Sequence, residues 1–288
     1  MVPRSDLLRL AIVLLGICGC AKWKAEPDSI SELAPPRMAP DSVVLEIAVA
    51  RVPNDMKDLE GALWDSLDEQ HLPVELRRRL RENGIRCAII GSQLPESLSK
   101  ILESDEATVR EGAENAARRR GEGTWREKQQ SRAGERFKIV TTSVRPRIDV
   151  MVKEDNAVRG QTCQQAHCEL ALRSFPVGDG TVRLEITPEI HYGAPRQTYV
   201  GDRNGFVIEA KQDELVFDEL RSASVLTPGQ TLLMSATPEI TGLGRHFFAD
   251  SKNQDAPLKL VLVRVAQTQY DDLFDPDNVL SPISTSTD

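Results

Sequence analysis

The stretch Phe137–Lys153, FKIVTTSVRPRIDVMVK, decides the fold because much of it alternates between apolar and polar residues. A period of two is typical of a β-strand with one buried face, whereas a helix repeats every 3.6 residues. The pair Arg145-Pro146 interrupts the pattern, since proline cannot donate a hydrogen bond to a neighbouring strand. The stretch therefore predicts one or two strands.

The chain that follows keeps this period and adds turn signals at regular spacing. Three pairs of predicted strands and a closing strand fill it: Cys168–Phe175 with Val182–Tyr192 around Gly178-Asp179-Gly180, Thr198–Val200 with Phe206–Ile208 around Asn204-Gly205, Ser222–Leu226 with Thr231–Ser235 around Pro228-Gly229, and Leu258–Val265. Glycine supplies the positive φ that tight turns require, and Pro-Gly fits a type II turn. We predict an antiparallel β domain over residues 137–268.

Upstream, a different pattern predicts a small β-α-α-β-α module over residues 42–104, so the fold class is α+β. Its predicted elements are a strand at Val43–Val52, a helix at Lys57–Gln70 capped by Asn54 or Asp55, a helix from Pro73 to Asn83-Gly84, a strand at Ile85–Gly91 and a helix at Pro95–Glu103. Apolar residues at helical spacing and the Asn-Gly C-cap pair support the helices. Trp64 lies on an apolar helix face, which favours a core position over a ligand site.

Residues 105–136 are nearly all charged residues, Ala, Gly and Gln, and they have too few apolar side chains to fold alone. We predict a charged connector there, either partly helical or a long surface excursion, and a disordered tail at residues 269–288. The run Arg118-Arg119-Arg120 could contact lipid phosphate or an acidic partner, but a solvated charge run explains it more simply.

The first residues carry the clearest functional signal. Arg4 and Arg9 precede a short apolar run that is too short to span a bilayer and is typical of a secretory signal. It ends at Gly19-Cys20, which resembles a bacterial lipoprotein lipobox, with residues 1–19 as the signal peptide and Cys20 as the lipidated residue. An ordinary signal peptide cut near Ala21 is the alternative. Residues 20–41 contain four prolines and predict an extended tether.

The lipobox resemblance implies export and attachment to membrane lipid through Cys20. In that family, an aspartate after the lipidated cysteine marks retention at the inner membrane in many diderm bacteria. This chain has Ala21 at that position, so the resemblance favours the outer membrane.

Four segments in the second half resemble the core domain of bacterial secretins, the outer-membrane pores of type II and type III secretion. They are VRLEITPEI at Val182–Ile190, TPGQTLLM at Thr227–Met234, GLGRHF at Gly242–Phe247 and LKLVLVRV at Leu258–Val265. They resemble, in order, the strand before the membrane lip, the Gly-Gln-Thr turn and strand, the loop before the last strand, and the terminal strand. The resemblance covers about 180–265 and implies a secretin-like β-sheet.

The segment Tyr192–Thr227, where a secretin would insert into the membrane, is rich in charged residues in this chain. Charges that face lipid are costly, so we expect a structural or assembly role in the cell envelope. Partners would be other envelope proteins or copies of this chain. An oligomeric secretin-type pore subunit is one alternative, and an envelope enzyme or ligand-binding module is another.

Composition and motifs argue against several classes of function. A net charge of -8 argues against nucleic acid as a partner, and 5% aromatic residues argue against stacking platforms. Gly242-Leu243-Gly244 lacks the strand, helix and further glycines of a nucleotide-binding loop. No catalytic motif stands out, so we predict a protein that is not an enzyme and has no cofactor.

Two groups of side chains are candidate sites. Cys163, His167, Cys168 and His191 are zinc-ligand types, but their spacing suits one tetrahedral ion poorly, so no metal site is predicted. Cys163 and Cys168 could instead form a disulfide if the chain turns between them. Asp213, Glu214, Asp218 and Glu219 surround apolar residues and are interpreted as charges guarding a solvated strand edge.

Overall fold

The computed structural model describes residues 41–111, 125–154, 157–202, 205–249 and 257–269. Its strands are β1 Ser42–Val52, β2 Ile85–Ile90, β3 Trp125–Arg132, β4 Arg136–Val140, β5 Arg145–Glu154, β6 Ala157–Pro176, β7 Val182–Asp202, β8 Gly205–Val216, β9 Ser222–Leu226, β10 Thr231–Ala236 and β11 Leu258–Gln269. Its helices are α1 Lys57–Asp65, α2 Val74–Glu82, α3 Glu96–Glu111 and α4 Gly242–Phe248, with short 3-10 turns at Asn54–Met56 and Asp218–Leu220.

The first sheet combines strands from distant parts of the chain. Its five strands lie in the order β2-β10-β11-β1-β3, and all neighbours are antiparallel. β1 and β11 are central and apolar at most positions, and they pair over their whole length from Ser42 opposite Gln269 to Val52 opposite Leu258. Helix α3 packs on β1.

The second sheet is built around two long strands, β6 and β7. Residues 167–176 of β6 pair with residues 182–191 of β7, while β4 and β9 line the outer edges of this central part. Beyond it the sheet divides into two-stranded ribbons. One is formed by β5 with residues 157–166 of β6, and the other by β8 with the end of β7.

One hydrophobic core joins both sheets and the helices. It contains Leu45 of β1, Leu98 of α3, Leu170 of β6, Phe247 of α4 and Val263 of β11, each with at most 1% of its surface exposed. Trp64 belongs to the same cluster, as its position on the helix face predicted.

The prediction of an α+β fold dominated by antiparallel sheet is confirmed. The segment 42–104 does not form a sheet of its own, because β10 and β11 lie between its strands β1 and β2. The turn at Pro228-Gly229 forms, with Gly229 at φ 94°, but it joins the two sheets rather than two paired strands.

Two further expectations are corrected. The predicted connector 105–136 contains a strand, since β3 pairs with β1, whereas the run of α3 to Glu111 agrees with a partly helical connector. β3 has few apolar residues because it is an edge strand whose polar side chains stay in water. GLGRHF at Gly242–Phe247, expected as a loop, is helix α4 with its leucine and Phe247 buried in the core.

Candidate functional site

The register of the β6–β7 hairpin brings four chemically active side chains together. His167 lies directly opposite His191, and Glu169 lies directly opposite Glu189. Alternation along β6 turns Cys168 and Leu170 towards the core, so the two histidines and two glutamates share the other face of the sheet. We call these four residues the His–Glu cluster.

Three members of the cluster meet at one point. The Nε2 atom of His191 lies 3.2 Å from Oε2 of Glu169 and 3.1 Å from Oε2 of Glu189. These three atoms lie within 4.8 Å of one another, and each of the three residues is buried. His167 contacts the far side of the same carboxylate, with its Nε2 atom 2.8 Å from Oε1 of Glu169.

Strand β4 supplies two cations that compensate the paired carboxylates. Arg136 forms an ion pair with Oε2 of Glu189, and the Nζ atom of Lys138 lies 3.6 Å from Oε2 of Glu169. Two like charges directly opposite each other across a strand pair are destabilising unless they are compensated. The cations therefore compensate the adjacent charges of the paired glutamates.

The charges around Glu169 also set its protonation state. Burial raises the pKa of Glu169, but the hydrogen bond with His167 and the charges of His191 and Lys138 outweigh burial. Its pKa therefore lies below its ordinary value, and the carboxylate is an acceptor and potential metal ligand at neutral pH.

An open depression of about 250 Å³ adjoins the cluster on the same face. Glu189 lines it together with Thr187 on its own strand, Arg173 of β6, and Asp218 and Arg221 beyond β8. Its lining mixes both signs of charge. Solvent can therefore approach Glu189 from this side.

A second depression, of about 280 Å³, lies between β5 and the end of β8. Val150 and Val152 of β5 and Leu215 of β8 give it apolar walls, with Arg79 and Asp218 among its charged residues. Both depressions are smaller than the roughly 300–1,000 Å³ of typical small-molecule pockets.

The structure places the predicted cysteine candidates away from the cluster. Cys163 and Cys168 are buried on the core side of β6 and both carry free thiols, so the disulfide that was possible between them is absent. A strand advances about 3.3 Å per residue, so five residues on one strand exceed the roughly 7 Å Cα separation that a disulfide bridges. The zinc-ligand set considered from the sequence included His191, but its structural partners are Glu169 and Glu189.

The acidic residues near the end of β8 are exposed and engaged in separate ion pairs. Asp213 pairs with Arg196 at 3.0 Å, Glu219 with Arg79 at 2.9 Å, and Asp218 with Arg221. Glu214 is exposed as well. They do not converge on one point, which agrees with their interpretation as solvated charges.

Several predicted features lie outside the described residues: the signal peptide 1–19, Cys20, most of the tether 20–41, Arg118-Arg119-Arg120 and nearly all of the tail 269–288. Within the described ranges, each helix is too short or too polar to serve as a membrane-spanning segment.

Comparison of the chain with protein-family models, curated proteins and solved structures finds no match. Functional inference therefore depends on the residues and geometry of this chain.

Proposed function

We propose that this chain is an exported, lipid-anchored cell-envelope protein with a structural or assembly role. We favour the outer membrane over the inner membrane as its location. The sequence supports the anchor through the lipobox-like Gly19-Cys20 junction. The assembly role is supported by one structural observation, the β7–β8 ribbon.

This ribbon is the part of β7 and β8 that extends beyond the second sheet. Arg196 to Asp202 pair with Lys211 to Gly205, and among the described residues these strands pair only with each other. Both outer edges therefore carry backbone N–H and C=O groups available to a further strand. Adding a strand from another chain to such an edge is a common mode of protein recognition.

The β5–β6 ribbon differs, because neighbouring helices occupy the edge of β5. Asn83, which follows α2, donates to the carbonyl of Lys153 at 3.0 Å and accepts from its N–H at 2.9 Å. The imidazole of His246 on α4 also bonds to the backbone of Asp149. The β7–β8 ribbon is thus the better candidate for contact with a partner.

The anchor is tested by Cys20→Ala in a diderm bacterial host. Radioactive fatty acid should label the native protein and leave the variant unlabelled, while Cys18→Ala serves as the matched control and should still be labelled. A labelled Cys20→Ala variant contradicts the lipobox interpretation.

The assembly role is tested by replacing residues 196–211 with a two-residue Asn-Gly turn in the full chain. We expect cross-linked complexes of the native protein, with itself or with other envelope proteins, to disappear in the variant. A control insertion of glycine between Asp179 and Gly180 lengthens the β6–β7 turn and should leave the complexes intact. Identical cross-links in all three proteins contradict a role for the ribbon.

A secretin-type pore subunit is the second candidate. The β7–β8 ribbon favours it, because the ribbon directly follows Val182–Ile190, the segment that resembles the strand before the secretin membrane lip. Heat-resistant multimers together with stable single-channel currents in planar bilayers would favour the pore. Monomers or small complexes without conductance would favour the assembly role.

A further inference from the structure

We propose that Glu169, Glu189 and His191 bind a divalent transition-metal ion of the Zn²⁺ type. Neutral imidazole and carboxylate are common zinc ligands, with bonds of about 2.0–2.2 Å. In tetrahedral geometry such bonds place ligand atoms roughly 3.3–3.6 Å apart. The 3.2 Å and 3.1 Å distances from His191 Nε2 to the two carboxylate oxygens lie close to that spacing.

Hydrogen bonding alone leaves the cluster incompletely satisfied. One Nε2–H of His191 cannot make linear hydrogen bonds to two carboxylate oxygens, and Oε2 of Glu169 is buried without a hydrogen-bond partner. The side chain of Glu169 is only 7% exposed, so water does not supply the missing bond easily. A cation at the centre of the three atoms would coordinate all of them.

The surroundings complete the site. The 2.8 Å contact from His167 holds Glu169 by its other oxygen, an arrangement that commonly orients metal-binding carboxylates. Glu189 lines the open depression, so a metal held by three protein ligands can take water as its fourth ligand.

Arg136 and Lys138 would compete with the metal ion for the two carboxylates, and this competition provides the sharpest test. Both contact the same Oε2 atoms that the metal would use, and their side chains are 31% and 47% exposed, so they can turn into solvent. In the absence of metal they neutralise the two carboxylates. Removing either cation should therefore raise metal affinity, whereas a network that serves only as ion pairs predicts no such gain.

The experiment uses the full-length protein in detergent, freed of metal by a chelator and titrated with Zn²⁺ against a chromophoric competitor. We expect one Zn²⁺ per chain, at least tenfold weaker binding for His191→Gln and Glu169→Gln, and at least threefold tighter binding for Arg136→Met. Glu75→Gln, which alters an exposed helical ion pair with Arg78, is the control and should bind as the native protein does.

Co²⁺ provides a second measurement that does not depend on affinity. Tetrahedral binding to the native protein should give visible absorption bands that His191→Gln lacks, and far-UV circular dichroism at matched temperature verifies that the variant is folded. Unchanged Zn²⁺ stoichiometry and affinity in a folded His191→Gln variant, or no Zn²⁺ bound by the native protein, would overturn the proposal. So would unchanged affinity in Arg136→Met.

Discussion

Gly84 and Gly244 bring two backbone segments closer together than side chains would permit. A Cβ atom on Gly244 would lie 1.7 Å from the carbonyl oxygen of Gly84, and the N–H of Gly244 donates to the carbonyl of Asn83 at 2.9 Å. Gly84 also has φ 76°, a conformation that suits the end of α2. The glycines of α4 thus allow close packing of two backbone segments. The sequence motif, which does not match a nucleotide-binding loop, gave no indication of this role.

Gly244→Ala should destabilise the fold by about 3 kcal/mol or more, because the backbone must move to admit the methyl group. Urea denaturation followed by circular dichroism measures the change. Gly61→Ala is the matched control, since a Cβ there meets nothing within 4 Å and the residue lies in α1. That control should stabilise by about 0.5–1 kcal/mol. Equal stabilities of the two variants would contradict the packing argument.

The thiols of the core are expected to be reduced and unreactive in the folded protein. Burial raises the pKa of Cys168 to about 12, which suppresses the reactive thiolate. Cys163 and Cys168 share one tryptic peptide, Gly160–Arg173. Alkylation in denaturant without reductant should label both residues, while alkylation of the folded protein should be slow at Cys168. A peptide lighter by two hydrogens and unlabelled would instead show the disulfide.

Two histidines are expected to make stability depend on pH. Burial lowers the pKa of His71 and of His246, and the charge of Arg145 lowers that of His246 further. Between the ordinary histidine pKa of about 6.5 and the lower folded values, the unfolded chain binds more protons. Stability should therefore fall as pH drops through about 6.5.

The urea midpoint measured from pH 8 to pH 5 tests this dependence. His246→Gln should show a smaller decrease across that range than the native protein, because the contribution of His246 is gone. A variant whose decrease equals that of the native protein would contradict the assignment of His246.

Asn83 fixes the end of α2 to strand β5. Its side chain is 1% exposed and makes three hydrogen bonds, one to the carbonyl of Arg79 and two with the backbone of Lys153. Asn83→Ala would leave backbone groups of Lys153 without partners, at a cost of about 2–3 kcal/mol. Gln129→Ala, which removes one exposed bond, should change stability by less than about 0.5 kcal/mol. Chemical denaturation of both variants compares them directly, and similar losses would contradict the role of Asn83.

Local pattern predicted most elements but not all of their partners. Period-two alternation located β6 and β7, and Gly178-Asp179-Gly180 marked the turn between them. The pattern does not indicate β3, because an exposed edge strand needs no apolar alternation. It does not indicate α4, because seven residues are too few for a helical period to appear. Pairing of β10 with β2 and β11 depends on tertiary packing, which local sequence does not encode.

The His–Glu cluster could have been found from the same turn. Counting pairs outward from Gly178-Asp179-Gly180 places Glu169 opposite Glu189 and His167 opposite His191. Residue type alone instead groups His191 with Cys163 and Cys168. Alternation puts Cys168 on the other face of β6, and Cys163 is buried in the core as well, so register is the missing constraint.

The two ends of the described chain lie side by side in the first sheet. β1 begins the described structure and β11 ends it, and they are neighbours at the centre of the first sheet. The hydrophobic core likewise includes residues from both ends. The segment 42–104 therefore depends on the distant strands β10 and β11 for its stability.

Residues 42–104 produced alone should consequently remain unfolded. Without β10 and β11, β2 loses its partner strand and β1 loses its longest pairing, so the apolar faces of both strands would stay exposed to water. The amide resonances of this fragment should be poorly dispersed in a proton–nitrogen NMR spectrum, and heating should produce no cooperative transition. Residues 41–269 are the matched control and should give dispersed resonances and one cooperative transition. A fragment that melts cooperatively would show that 42–104 is an independent domain, because its helices would then stabilise β1 and β2 without the rest of the sheet.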